Sequence, residues 1–346
     1  MSVQAVRARA PLRISFVGGG TDFPHYFAIH GGAVLSATID RAAHVTLAPR
    51  GDRGVRIRSL DLGHLVEYRL DDGPTYDGIM DLPKAAVERM GLDVGLEIDI
   101  TSDAPPGSGL GGSSALVTAV VAALAALDGR RMTRDEVARA AYAIEREDLG
   151  IAGGWQDQYA SAYGGFNLIE FSPEGTRVTP VRCPPETLEG LRERLLLCDT
   201  GAVRTDLGLI DVQIRLFQEG REETLVGMKH LHEMAYELRD VIEAGDLDAL
   251  GPLLHEAYLN KRRMNPHITD GTAIETLLAL AREAGAEGGK ICGAGGGGYL
   301  LLACRPERRA LVSAALEARG ARVTGFSFTH EGVLAHVGTR VWRPTP

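Results

Sequence analysis

The chain has 346 residues, 45% of them apolar and 24% charged, which is the balance of a globular protein with room for two hydrophobic cores. A formal net charge of −9, with no basic stripe to offset it, argues against nucleic acid as a partner. The longest apolar run, residues 115–127, falls short of the roughly 18 residues a membrane span needs, so no membrane partner is expected.

The first hundred residues read as strands. Short runs such as RISFV, HVTLAP and VRIRSL are separated by glycine, proline and aspartate. The N-terminal MSVQAVRARAPLRISFVGGG has too brief an apolar stretch for a signal peptide. Cys183, Cys198, Cys292 and Cys304 lie far apart with no CxxC, the pattern of reduced thiols in a cytoplasmic protein. His230 and His232, at i and i+2, do not share a helix face and make a poor metal pair.

LEIDITSDAPPGSGLGGSSAL then ends a strand in a glycine-rich turn and enters a helix that is apolar on most faces. Unpaired N–H groups at a helix start, with glycines that let the backbone approach, make a phosphate site. The candidates are Pro106, Gly107, Ser108, Gly109, Leu110, Gly111, Gly112, Ser113 and Ser114. No lysine follows as in GxxxxGK[ST], and the setting is not that of GxGxxG in a parallel βαβ unit. TRDE predicts a second helix with a capping box from Thr133 to Glu136. Its stripe, Val137, Ala140, Ala141 and Ile144, continues to Glu147, a carboxylate that needs a partner or a cation if buried.

YGGFNLIEFSPEG reads as a hairpin, and RLLLCDTG as the first strand of a second unit. Helical patterns follow over 211–243, 246–263 and 271–284. GGKICGAGGGGYLLLACRP then carries a second glycine loop into an apolar strand. The expected organisation is two α+β domains, 1–190 and 191–346, each supplying a glycine loop. Lys261, Arg262 and Arg263 form the densest basic cluster, either a solvated helix face or, with Arg204, a phosphate contact.

Three ordered stretches, APLRISFVGGGTDF, PPGSGLGGSSA and KICGAGGGGYL, together resemble the GHMP kinases (galactokinase, homoserine kinase, mevalonate kinase, phosphomevalonate kinase). RISFVGGGTDFPHYF, GGAVLSATIDR and DLGIAGGWQDQYASAYGGFNLIEF are most similar to the branch acting on heptose 7-phosphates. The resemblance implies a two-domain α+β fold with an N-terminal β-α-β nucleotide-binding domain and a ferredoxin-like C-terminal domain. It implies ATP and Mg²⁺ as cofactors and a small sugar phosphate as substrate, and leaves a homodimer open.

By the same resemblance, Asp157 takes the proton of the sugar hydroxyl and Arg13 stabilises charge beside it. Glu147 and Ser113 ligate Mg²⁺, with Glu145 and Ser114 as their alternatives, and Asp22 meets sugar hydroxyls together with Gly19, Gly20, Thr21, Gly154 and Arg204. Galactokinases have Glu-His where this chain has Gly19 and Gly20, which implies room for a larger or phosphorylated sugar. Trp155 also departs from the smaller or basic residue expected there. Two other readings stay open: a different sugar-1-kinase, such as a fucokinase, and a non-catalytic sugar and nucleotide sensor.

Overall fold

A computed structural model describes residues 5–201, 208–270 and 272–346. Alternating apolar side chains make β1 (Val6–Val17) a strand whose inner face is buried. It leads through the GGG loop and the short α1 (Pro24–His30) into the long β2 (Gly32–Pro49), its antiparallel partner. The outer strands β3 (Gly54–Ser59) and β4 (Leu65–Arg69) follow, then α2 (Asp81–Met90) and β5 (Leu96–Ser102), which pairs with β2.

The glycine loop after β5 opens into α3 (Gly112–Asp128). Alanine and valine let this helix sit close against β1 and β2, and it is buried on nearly every face. Next come α4 (Arg134–Ala143), a π-helical turn at Ile144–Asp148 and α5 (Gln156–Tyr163). The capping box at the start of α4 is present, with the Thr133 hydroxyl accepting from Glu136 N at 3.1 Å and Glu136 returning to Thr133 N at 2.7 Å. The hairpin of β6 (Phe166–Ser172) and β7 (Gly175–Pro180), paired to β2, and helix α6 (Pro185–Arg194) complete the first unit.

The second unit is β8 (Leu195–Asp199), α7 (Leu209–Gln218), α8 (Glu222–Ala244), α9 (Leu247–Met264), α10 (Ile274–Glu283), β9 (Ala286–Ile291), β10 (Tyr299–Cys304), α11 (Arg309–Glu317) and β11 (Arg322–Thr324). Its antiparallel sheet has the order β11-β8-β10-β9, the ferredoxin-like arrangement of two interleaved halves. The helical pattern over 211–243 is two helices rather than one, broken at Gly220.

The chain does not end in that unit. β12 (Leu334–Val337) and β13 (Arg340–Trp342) return to the first sheet, with Val337 opposite Val6. The expected second domain, 191–346, therefore gives its last strands to the first. They cover an edge of β1 that would otherwise expose unpaired backbone.

Candidate active site

The site forms where β1, the loop before α3 and the start of α5 meet. A register irregularity between Pro11 and Arg13 breaks the β1–β2 ladder, and Arg13 N instead donates to Leu110 O at 3.0 Å. The buried Arg13 guanidinium donates Nε to Asp157 Oδ1 at 2.8 Å, places Nη2 2.7 Å from the same oxygen, and donates Nη1 to Gly109 O at 2.6 Å. Asp157 stands in the first turn of α5 and is partly open to solvent, whereas its partner is sealed. The pair thus joins the glycine loop to a reachable carboxylate.

Opposite lies the glycine loop of the second unit. A β-carbon at Gly109 would sit 2.6 Å from Cys292 O, and one at Gly298 would sit 2.5 Å from Gly107 O. Tyr299 N donates to Ser108 O at 3.0 Å, and the buried Lys261 ammonium donates to Gly293 O. Leu110 and Ser108 turn their side chains inward, and their carbonyls are taken by Arg13 N and Tyr299 N, so neither offers a ligand a side chain. Helix α3 begins at Gly111 without a side-chain cap, leaving its first N–H groups for an anion.

Lys290 is a residue that the sequence reading passed over. It lies on β9, fully buried, and donates Nζ to Ser15 O of β1 at 2.6 Å, two residues beyond Arg13. Burial pulls its pKa down to about 8; Cys292 opposes that shift and Arg13 adds to it. A lysine set between glycines and isoleucine, GGKI, was the signal available.

The structure does not bring Glu147 to the site. Its side chain is 63% exposed and pairs with Arg89 at 3.3 Å. Glu145, 2% exposed, points inward, accepting from Ser114 Oγ at 2.7 Å and from Gln158 Nε2. The wide π-helical turn at Ile144–Asp148 displaces the inner face from the spacing an α-helix would keep. Burial raises the Glu145 pKa, against Arg146, Gln158 and Ser114, which favour the carboxylate. Ser113 stands exposed on the first turn of α3, and Ser114 is the serine that touches Glu145.

Among the described residues no group of three or more His, Cys, Asp or Glu could hold a metal. One carboxylate beside one hydroxyl next to the first glycine loop fits Mg²⁺, an ion that takes few protein ligands and keeps several waters.

The GGGTD loop is more closed than expected. Thr21 is fully buried, its hydroxyl engaged with the backbone of Gly18 and Ala33, so it has no atom for a ligand. Asp22 is buried too, its carboxylate accepting from Gly20 N at 2.9 Å and Gln156 N at 3.1 Å, beneath Gly154, where any side chain would strike it. Burial raises its pKa, the Gly20 amide opposes this, and Asp157 adds to the rise. Gly20 is covered by Met264 of α9 and Gln213 of α7. Only Gly19 of the three glycines is partly open.

The Trp155 ring stacks on Tyr142 with centroids 3.7 Å apart. Arg146, also missed from sequence, lays its guanidinium under Gly153 and donates to Ile151 O at 3.1 Å, bracing this loop. The basic cluster divides: Lys261 turns inward, Arg262 pairs with Glu275 at 3.0 Å, and Arg263 donates to Asn260 Oδ1 at 3.1 Å. Arg204 lies outside the described residues.

A two-domain fold with a glycine loop from each domain, and an Arg–Asp pair bonded to the first of these loops, defines a class that the comparisons identify. Residues 79–165 match the GHMP kinases N terminal domain and residues 237–322 match GHMP kinases C terminal, so the chain belongs to the GHMP kinases. It is a sugar kinase of that family, a phosphotransferase with an alcohol acceptor, and GHMP kinases use ATP as donor.

It is 34% identical to the D-glycero-alpha-D-manno-heptose 7-phosphate kinase of Campylobacter jejuni, over 96% of this chain and 98% of that one. The crystal structure of a D-glycero-D-manno-heptose 1-phosphate kinase from Bacteroides thetaiotaomicron superposes with a TM-score of 0.80 at 28% identity, covering 97% of this chain and 100% of that chain. The L-fucokinase/L-fucose-1-P guanylyltransferase of Bacteroides fragilis is 26% identical over 90% of this chain but only 36% of its own length. No helix among the described residues is long and apolar enough to cross a membrane.

Proposed function

We propose that this kinase transfers the γ-phosphoryl group of ATP to the anomeric hydroxyl of D-glycero-D-manno-heptose 7-phosphate, giving the 1,7-bisphosphate. The observation that carries the reading is the Arg13–Asp157 pair, held at 2.7–2.8 Å and tied to the phosphate loop through Gly109 O. Phosphoryl transfer asks for alignment and charge neutralisation more than covalent help. Asp157, the open member, accepts the hydroxyl proton; Arg13 offsets charge developing on the transferred group.

Glu145 with Ser114 would hold Mg²⁺, which when bound neutralises charge on the ATP phosphates. The uncapped start of α3 supplies N–H groups to those phosphates. The heptose acceptor is supported by the name of the Campylobacter jejuni relative and by the partly open glycine at 19. We assign the 7-phosphate contact to Arg204 or Arg263. An ADP-release assay over heptose 7-phosphate, heptose, fucose, mannose and galactose tests the reading. Heptose 7-phosphate should lead by about a hundredfold in kcat/KM, as two charge-assisted contacts to phosphate would give. Fucose in the lead would favour the fucokinase reading, and turnover of none would point to a sensor.

A further inference from the structure

A cavity of about 410 Å³ opens between the two domains, and neither Arg13 nor Asp157 lines it. That volume is ordinary for a small-molecule site. One wall is Asp40 and Arg41 of β2 with Asp103, at the foot of the phosphate loop; the other is Tyr299, Arg322 and Thr324 of the second sheet.

A bulge builds the first wall. Pro11 stands opposite Ala42 and Arg13 opposite Thr38, so one residue of β1 faces three of β2, and residues 39–41 leave the ladder. Asp40 N donates instead to Ser327 O at 2.9 Å, in the segment after β11. Arg41, half-buried, donates Nη2 to Thr324 Oγ1 at 2.7 Å and lies over the Tyr299 ring at 5.6 Å. Among the described residues it has no carboxylate partner. Arg322, from the other domain, is 74% exposed and paired only loosely, with Asp199 at 3.5 Å. Asp103 is occupied, accepting from Ala42 N at 2.9 Å and lying 3.0 Å from His44 Nε2. Asp40 is exposed and makes no ion pair among the described residues.

The cavity thus offers one guanidinium without an anion, a second loosely supplied, and a carboxylate without a donor. We infer that it binds a phosphorylated sugar, with the phosphate between Arg41 and Arg322 and a hydroxyl on Asp40. A bare phosphate ion fits less well, because Asp40 repels an anion but accepts from a hydroxyl. A nucleotide fits less well too. The one described aromatic ring in the lining, Tyr299, is 4% exposed with Arg41 over it, so a base finds no face to stack on. Asp103 leads into the phosphate loop, and Tyr299 N holds Ser108 O of that loop at 3.0 Å. A molecule gripped by Arg41 and Arg322 together therefore fastens the second domain to the base of that loop.

Isothermal titration of the full chain tests this with glucose 6-phosphate, mannose 6-phosphate and sedoheptulose 7-phosphate, against inorganic phosphate and sorbitol. At least one sugar phosphate should bind about tenfold or more tightly than inorganic phosphate, and sorbitol should not register. Arg322→Gln and Arg41→Gln should each weaken that binding about tenfold, as the loss of one charge-assisted bond would. Asp40→Ala should close the difference between the sugar phosphate and inorganic phosphate.

Binding confined to the acceptor site would be untouched by these changes. A Kd within about twofold of wild type in Arg322→Gln therefore overturns the inference, even if Arg41→Gln fails to fold. Failure of all three sugar phosphates to bind at about 10 mM overturns it as well, as does inorganic phosphate binding as tightly as they do. Binding is the readout, so a chain that turned over no sugar would lose the kinase reading and leave this test intact.

Discussion

The two glycine-rich loops of the first domain look alike in sequence and do different work. In 107–112 the glycines at 107 and 109 are pressed against the second domain, at Gly298 and at Cys292–Gly293, and Gly111 packs on Arg13. In 18–20 the outer two glycines are packed against backbone or buried side chains and only Gly19 is partly open, beside the Gln156 and Ser15 side chains. Glycine marks a close approach in both. What approaches at Gly109 is protein, whereas Gly19 keeps part of its surface open.

The loop at 107–112 alone bonds to the ion pair, through Gly109 O, so the strongest break in the comparison is to remove the pair's carboxylate. Asp157→Asn should lower kcat by about a hundredfold or more with the nucleotide Kd nearly unchanged, as for a lost general base. Near-normal kcat in a folded variant would leave the bond from Gly109 O to the pair without a catalytic role. Next in size is Gly109→Ala. Its φ of +78° disfavours a side chain, and the β-carbon would meet Cys292 O at 2.6 Å. We expect a loss of about 2–4 kcal/mol in denaturant unfolding. A variant as stable as Gly19→Ala would erase the distinction between the loops.

Lys290, which couples the second domain to the strand beneath Gly19, gives a pH-dependent test. Its folded pKa of about 8 lies below the ordinary 10.5, so the unfolded chain binds more protons between those values and stability rises with pH across them. The lysine penalises the fold below pH 8 and is relieved by pH 10.5, by about 3 kcal/mol at most. Measured against Lys290→Met, the wild type should gain stability over that window. A constant difference would mean the ammonium is better paired than its one bond to Ser15 O.

A smaller effect separates Glu145 from Glu147. Glu145→Gln should raise the Mg²⁺ concentration for half-maximal rate about tenfold, and Glu147→Gln should leave it unchanged. The reverse result would return the cation to Glu147.

Much of this was legible in the sequence because glycine, proline and a capping box are local signals. The strand before the first loop, the buried helix after it and the hairpin at 166–180 appear where the residues predicted them. Arg13 and Asp157 were named from motifs 144 positions apart and lie in contact. The 3.6-residue stripe puts Glu147 on the inner face and the resemblance gives it the metal, but at Ile144 the backbone widens into a π-helical turn and presents Glu145 instead. No residue in IERED announces that change. The inward turn of Thr21, the burial of Asp22 and the return of β12 to β1 were equally hidden, since each depends on a neighbour distant in the chain. Gly19 and Gly109 could not be told apart for the same reason.

The central claim is a phosphoryl transfer to the anomeric oxygen of heptose 7-phosphate, and ³¹P NMR of the product tests it most directly. With ATP, Mg²⁺ and D-glycero-D-manno-heptose 7-phosphate, the account predicts ADP and a second sugar phosphate resonance coupled to H1, with the 7-phosphate signal retained. Absence of that resonance while fucose or another unphosphorylated sugar gains a phosphate would contradict it.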